Sequence, residues 1–269
     1  MALMQNSQLT VLKLGYNNLE NEGAIILASG IAQHESLESL DLGFNNIGDE
    51  GCCAIARAVR LPPLHTLYLA GNLFQEDGAS AIADLIRRGK SSLKKLYLTG
   101  NRLGPDGVKA ITDGIVEQES TVAREGEQRQ EEPNSHQMED EEEQVLGNRS
   151  TRGLQELFLG GTSSGSIGCR SVARVLATTH NLRVLSIPNC DLDDSDLATL
   201  AASLKNNREN LILESLQLSF NQFTGKGIEP LVNALWGLTG LKELKLDNNN
   251  IGDVGAQLLA AVFPQLENL

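Results

Sequence analysis

The sequence is poor in aromatic residues, and no long hydrophobic run interrupts it. Aromatic side chains make up only 4% of the chain, so aliphatic residues must build most of the core. No apolar stretch approaches the ~18 residues that a membrane-spanning helix needs. Residues 1–8 contain no basic segment that leads into an apolar run. We therefore expect a protein that neither enters a membrane nor is secreted.

Basic charge and cysteine are also scarce. The net charge is −13, which argues against nonspecific binding of nucleic acid, because attraction to phosphates needs a basic stripe. The four cysteines include no Cys-x-x-Cys spacing. We interpret them as free thiols, buried or half-buried, rather than as metal or redox sites. Free thiols are typical of a reducing compartment, so we expect a cytoplasmic or nuclear protein.

The sequence does contain a repeat of about 28 residues. The unit reads Leu-x-x-Leu-x-Leu-x-x-Asn-x-Leu, followed by Gly-x-x-Gly and an apolar-periodic stretch. The alternating leucines predict a short strand with one face inward, and the apolar-periodic stretch predicts a helix with one buried face. The Asn is expected to bury its amide at the turn and satisfy backbone groups there. The unit begins at eight leucines: Leu9, Leu37, Leu64, Leu93, Leu154, Leu182, Leu213 and Leu241.

The units must stack, because no single one can bury its own apolar face. We predict an α/β fold, a solenoid of about eight strand–helix repeats curved into a horseshoe, with a parallel sheet on the concave side and helices on the convex side. It should form a single domain over residues 1–269. The repeat resembles the ribonuclease-inhibitor type of leucine-rich repeat, also found in NOD-like receptors and Ran GTPase-activating proteins. That resemblance implies the fold and leaves the particular partner open.

One long insertion separates Ile115, at the end of the fourth predicted helix, from Leu154. Residues 117–151 hold eleven acidic residues and three arginines, which together account for −8 of the net charge of −13. Their low hydrophobicity predicts that residues 118–152 form a disordered acidic insertion within the domain, mobile from about residue 120 to 150. Because Leu154 restarts the pattern in phase, we expect an uninterrupted sheet across the insertion.

No group of residues assembles a catalytic or a metal site. Residues 160–168 lie between a predicted strand and a predicted helix, as a phosphate-binding loop does, but Ser166 stands where that loop needs lysine. The histidines are dispersed. An acidic cluster at one helix start complements the helix dipole in our interpretation, rather than binding calcium: Asp191, Asp193, Asp194 and Asp196. We therefore predict no enzyme activity, no cofactor and no metal.

The residue between the paired leucines of each strand points outward and varies between repeats. In three consecutive central repeats it is aromatic, at Tyr68, Tyr97 and Phe158. Neighbouring strands lie ~4.8 Å apart, so the three rings should form one contiguous patch. Such a patch is typical of a binding hot spot. The alternative is that the stacked rings only stabilise adjacent strands. Charged residues occupy the same position at the rim: Lys13, Asp41 and Lys245.

These patterns favour a non-enzymatic module that binds a protein partner on its concave face or loop edge. The resemblance raises one alternative, a GTPase-activating type of regulator for a Ran-like small GTPase. In those regulators an acidic block lies at the C-terminal end, whereas here it is internal. A second alternative is a structural subunit of a larger assembly. Neither end of the chain shows a polar capping repeat, so end-to-end contacts through the terminal repeats are expected in that case.

Overall fold

Short parallel strands form one continuous sheet. The computed structural model describes residues 8–59, 63–88, 93–130 and 153–265. Within them, the strand order follows the chain, and each strand pairs in parallel with the next. The strands are β1 (Val11–Lys13), β2 (Ser39–Asp41), β3 (Thr66–Tyr68), β4 (Lys95–Tyr97), β5 (Glu156–Phe158), β6 (Val184–Ser186), β7 (Ser215–Gln217) and β8 (Glu243–Lys245).

A helix follows each strand and packs against the helices of the neighbouring repeats. The helices are α1 (Glu20–Ile31), α2 (Asp49–Ala58), α3 (Glu76–Arg87), α4 (Gly104–Gln130), α5 (Gly165–Thr178), α6 (Asp194–Asn207), α7 (Gly225–Leu235) and α8 (Gly252–Val262), and a short 3-10 turn follows at Phe263–Gln265. The predicted α/β solenoid is thereby confirmed, with the sheet on the concave side and the helices on the convex side.

The repeat register passes unbroken across the long insertion. β4 pairs directly with β5, with Leu96 opposite Leu157 and Tyr97 opposite Phe158. Both leucines are fully buried, like the corresponding Leu67 of β3. The in-phase restart of the pattern at Leu154 therefore predicted the register correctly, because one face of each strand must meet the same core.

A ladder of asparagines closes the turns after the strands. It is buried, as predicted, in the inner repeats at Asn45, Asn72, Asn101 and Asn221, whereas Asn17 is exposed and Asn249 is half-buried in the terminal repeats. The amide nitrogen of Asn45 donates to the carbonyl oxygens of Leu14 (2.8 Å) and Leu42 (3.1 Å), and its Oδ1 accepts from the N–H of Asn17 (3.0 Å). The two substitutes at this position are shorter. Thr162 Oγ1 donates to the carbonyl of Leu159 at 2.8 Å, and Cys190 Sγ lies 3.5 Å from the same carbonyl oxygen.

Helix α4 continues well past the position at which the repeat pattern ends. It reaches Gln130, so the first part of the segment from 118 to 152 is helical. The reason is that its buried stripe continues, with Ile115 only 1% and Gln118 only 4% exposed. Composition alone gave no sign of this extension. The remainder, residues 131–152, lies outside the described residues, so the expected mobility stays a prediction.

The acidic cluster and the cysteines contribute to the fold: the cluster caps a helix, and the cysteines are free thiols. Asp193 caps α6 by accepting from the N–H groups of Ser195 and Asp196, and the Asp196 carboxylate accepts in return from the N–H of Asp193. All four cysteines are free, three of them buried and Cys53 half-buried, as predicted. Burial raises the pKa of each thiol, which keeps it protonated and unreactive.

Candidate functional site

The aromatic residues of β3, β4 and β5 form one stack on the outer face of the sheet. Their backbone positions are paired across the strands, Tyr68 with Tyr97 and Tyr97 with Phe158. The centroids of the Tyr68 and Tyr97 rings lie 5.0 Å apart at 31°, and those of Tyr97 and Phe158 lie 4.3 Å apart at 10°. Each side chain is half-buried. The three rings are therefore contiguous, as predicted, and we call these three residues the ring stack.

Polar neighbours hold the middle ring of the stack in place. The Tyr97 hydroxyl donates to Glu156 Oε2 at 3.0 Å, while Lys95 Nζ lies 2.6 Å from the other oxygen of that carboxylate. Burial, with the hydrogen bond to Glu156 as a second cause, raises the pKa of Tyr97 to about 12. The phenol therefore stays neutral at physiological pH, and its orientation is fixed before any ligand arrives.

Glycine provides the space on which the first ring of the stack lies. A Cβ added at Gly43 would lie 2.5 Å from Cε1 of Tyr68, so a larger residue at this position would displace the ring. Burial, followed by the nearby carboxylate of Asp41 and the phenol of Tyr16, raises the pKa of Tyr68. Asp41 is the register partner of Tyr68, so its side chain lies on the same face of the sheet as the Tyr68 ring.

The predicted charged rim divides into a near part and a distant part. Asp41 of β2 pairs with Tyr68, and Lys13 of β1 pairs with Asp41, so both continue the row of the ring stack. Lys245 lies on β8, three strands beyond Phe158, which corresponds to ~14 Å. Its Nζ lies 3.1 Å from Glu243 Oε1, on its own strand. Five of the six predicted residues therefore lie together on consecutive strands, and Lys245 lies apart.

Three exposed aromatic residues on the loop edge were missed by the sequence analysis. Tyr16, Phe44 and Phe220 are 77%, 43% and 56% exposed. The rings of Tyr16 and Phe44 stack with centroids 4.4 Å apart at 7°. Each of the three precedes the Asn of its repeat and has a left-handed φ between 56° and 62°. Glycine holds this position in three other repeats, as at Gly71. An aromatic residue in place of glycine could therefore have been recognised from the sequence.

A wide recess lies next to Phe220. It has a volume of about 850 Å³, and the residues that line it include Gly100, Gly160 and Gly161. The side chains of Phe220 and Lys245 form part of its wall. Lys245 therefore borders this recess and not the stack. The recess is large enough for one or more side chains of a partner.

Residues 160–168, which lie where a phosphate-binding loop would, make hydrogen bonds within the solenoid. The Gly161 N–H donates to the Pro188 carbonyl at 2.8 Å, and the Gly168 N–H donates to the Ser164 carbonyl at 3.0 Å. Ser166 Oγ donates to Asp196 Oδ2 at 2.9 Å. In the part of the chain that the structure describes, no cluster of three or more His, Cys, Asp or Glu side chains could hold a metal ion. None of the described helices is long and apolar enough to cross a membrane.

Comparisons with known proteins agree on the repeat. The Leucine Rich repeat family matches residues 5–28, 33–56, 89–111, 209–232 and 238–260. The ribonuclease inhibitor of Sus scrofa is 34% identical over 106 residues, which are 39% of this chain and 23% of that protein. The human NACHT, LRR and PYD domains-containing protein 12 is 38% identical over 106 residues, 39% of this chain and 10% of that protein. The match thus spans less than a quarter of either relative.

A solved structure gives a weaker likeness. The Arabidopsis receptor kinase HAESA, in complex with the peptide hormone IDA and the co-receptor SERK1, aligns over 91% of this chain and 35% of that chain. The TM-score is 0.44 and the sequence identity is 14%, too low for any argument about function.

Proposed function

The chain is a leucine-rich repeat protein of the ribonuclease-inhibitor type, and from that premise we propose that it binds a protein partner on the concave face of its sheet. Repeat solenoids of this kind commonly use their extended concave surface for protein–protein interaction. The proposal includes action by binding rather than by catalysis, in the cytoplasm or nucleus. The ring stack is its centre.

The observation that carries the proposal is the continuity of the ring stack. Three aromatic side chains touch in sequence across the middle of the sheet, each half-buried and each still open to solvent on one side. Aromatic residues are the side chains most enriched among binding hot spots, and hot spots cluster near the centre of an interface. Small residues flank the stack, as at Ala70 and Gly160, so a partner can approach the exposed edges of the rings.

The rigidity of the ring stack also supports a role in binding. The Tyr97 phenol is tied to Glu156, which is itself tied to Lys95, so these side chains lose little conformational freedom when a partner binds. If the rings only stabilised adjacent strands, stacking would be enough and the polar contacts of Tyr97 would not be needed. A preorganised stack, by contrast, lowers the entropic cost of association.

The test is a double substitution, Tyr97→Ser with Phe158→Ser, which removes both rings of the tighter pair and leaves Tyr68 in place. Partners are captured from extract of the source cells with the full chain, and the affinity of the captured partner is then measured. Loss of a hot-spot ring typically costs ~2 kcal/mol or more in binding, so we expect at least ~30-fold weaker binding.

The matched control is Trp236→Ser, which removes a side chain that is 55% exposed at the end of α7, away from the sheet face. It should leave affinity within about twofold. Circular dichroism of all three proteins confirms that the solenoid remains folded. If the folded double variant binds as tightly as the control, the ring stack is not the binding surface.

A further inference from the structure

The loop edge above β1 and β2 carries a stacked aromatic pair in an unusual backbone conformation. Tyr16 and Phe44 have φ values of 62° and 56°, which bulky residues rarely adopt. The Phe44 ring lies over Gly71, where an added Cβ would come within 2.4 Å of it. The equivalent residue of each other repeat also has a left-handed φ, as at Gly71 and Asn189, so the conformation belongs to the repeat turn and the bulky rings are what distinguish these two turns. The pair is also well exposed to solvent, so core packing does not account for it.

A carboxylate lies beside this pair. Asp41 Oδ1 accepts from the Gly43 N–H at 3.0 Å, and a Cβ added at Gly15 would lie 3.4 Å from the same oxygen. Gly15 directly precedes Tyr16, and Gly43 directly precedes Phe44. The Tyr68 ring also rests on Gly43, so the Asp41 carboxylate and the Tyr68 ring both lie against the glycine that precedes Phe44.

The Asp41 carboxylate forms no salt bridge within the residues that the structure describes. Within the described ranges, no Lys, Arg or His nitrogen lies within 4.0 Å of it, although Lys13 is its neighbour on β1. The Lys13 side chain is exposed to solvent instead. An unpaired carboxylate next to an aromatic ring favours a planar cation, since ring faces attract cations and the carboxylate pairs with them.

We propose that Asp41, together with the rings of Tyr16, Phe44 and Tyr68, forms a binding site for an arginine side chain of the protein partner. The inference rests on the proposed function and gives the partner a chemistry. Charge complementarity favours a basic occupant, because the Asp41 carboxylate forms no salt bridge within the described residues. Arginine fits better than lysine, because its flat guanidinium stacks on a ring while it donates to a carboxylate.

The probe is the tripeptide acetyl-Gly-Arg-Gly-amide, added to the full chain in 150 mM salt so that long-range attraction is screened. Its control replaces arginine by citrulline, which keeps the shape of the side chain and removes its charge. Binding is followed by the backbone amide signals of Gly15 and Gly43 in nuclear magnetic resonance spectra. We expect the arginine peptide to bind about tenfold more tightly than the citrulline peptide, from one exposed ion pair and one ring contact.

Substitutions of three charged residues test whether the preference for the arginine peptide depends on Asp41. Asp41→Asn keeps an acceptor for the Gly43 N–H and removes the charge, so it should abolish the tenfold preference for arginine. Lys13→Gln removes a competing cation and should increase the preference. Glu38→Gln removes an exposed carboxylate just before β2 and should leave it unchanged.

Equal affinities for the two peptides, or a preference that survives Asp41→Asn, would overturn the inference. Tighter binding of a leucine tripeptide than of the arginine peptide would also overturn it, because the rings would then serve an apolar ligand. Failure of the proposed function is separate, since that test changes Tyr97 and Phe158 and leaves this site intact.

Discussion

Glu119 should make the stability of this protein depend on pH. Its side chain projects from α4 and is only 11% exposed, and among the described residues its Oε1 has no hydrogen-bond partner. Burial raises the pKa of its carboxyl to about 7. His180 Nδ1 lies 3.9 Å from the other carboxylate oxygen, but that imidazole is 58% exposed and solvent screens the contact.

The shift in the pKa of Glu119 sets the sign and the size of the effect. Because folding raises this pKa from 4.5 to about 7, the folded state holds the proton more tightly than the unfolded state does. At ~1.36 kcal/mol per pH unit, ionisation destabilises the fold by about 3 kcal/mol. That penalty is absent below pH 4.5, grows between pH 4.5 and pH 7, and is complete above pH 7. Glu119→Gln cannot ionise and should escape it.

The assay is urea unfolding followed by circular dichroism at pH 4, 6 and 8. We expect Glu119→Gln and the parent protein to differ little at pH 4, and the variant to be more stable by about 3 kcal/mol at pH 8. The control is Glu117→Gln, at a carboxylate that is 59% exposed and paired with Arg87 at 2.7 Å. It should change stability by less than ~1 kcal/mol. A Glu119→Gln variant that is less stable than the parent at pH 8 would refute the reasoning.

Two glycine substitutions and one deletion also have defined outcomes. Gly71→Ala and Gly100→Ala both place a Cβ at a left-handed φ, 67° and 72°, but only the first meets the Phe44 ring. Both should lower the free energy of unfolding by ~1–2 kcal/mol, Gly71→Ala by more, and equal losses would show that Phe44 yields freely. Deleting residues 131–151 removes seven acidic residues and Arg149. Stopped-flow measurements should then show slower partner association with less salt dependence, and tighter binding would indicate shielding instead.

The fold was predictable because every repeat places the same residue types in the same environment. Leu67 and its counterparts on the other strands meet one core, so the sequence period carries the register even across the insertion at Leu154. The buried Asn45 follows from the same logic, since a turn that repeats needs the same amide each time. The row of the ring stack was also predictable, because a strand alternates between its faces.

Two features were not predictable, for different physical reasons. Low hydrophobicity at residues 118–152 suggested disorder, but α4 continues to Gln130, and at the start of this extension the side chains of Gln118 and Glu119 are 4% and 11% exposed. Composition averages over a segment and does not detect two buried side chains. Tyr16 and Phe44 do not follow from the alternation along the strands, because they project from turn positions that hold glycine in three of the eight repeats.

The central claim, binding on the sheet face, is tested most directly by site-specific photocrosslinking. Benzoylphenylalanine is placed at Gln217, which is half-buried on β7 in the row of the ring stack, or at Arg170, which is exposed on α5. The captured partner should crosslink to the variant at position 217 and not to the variant at position 170. Crosslinking at position 170 alone would place the partner on the helices and contradict the account.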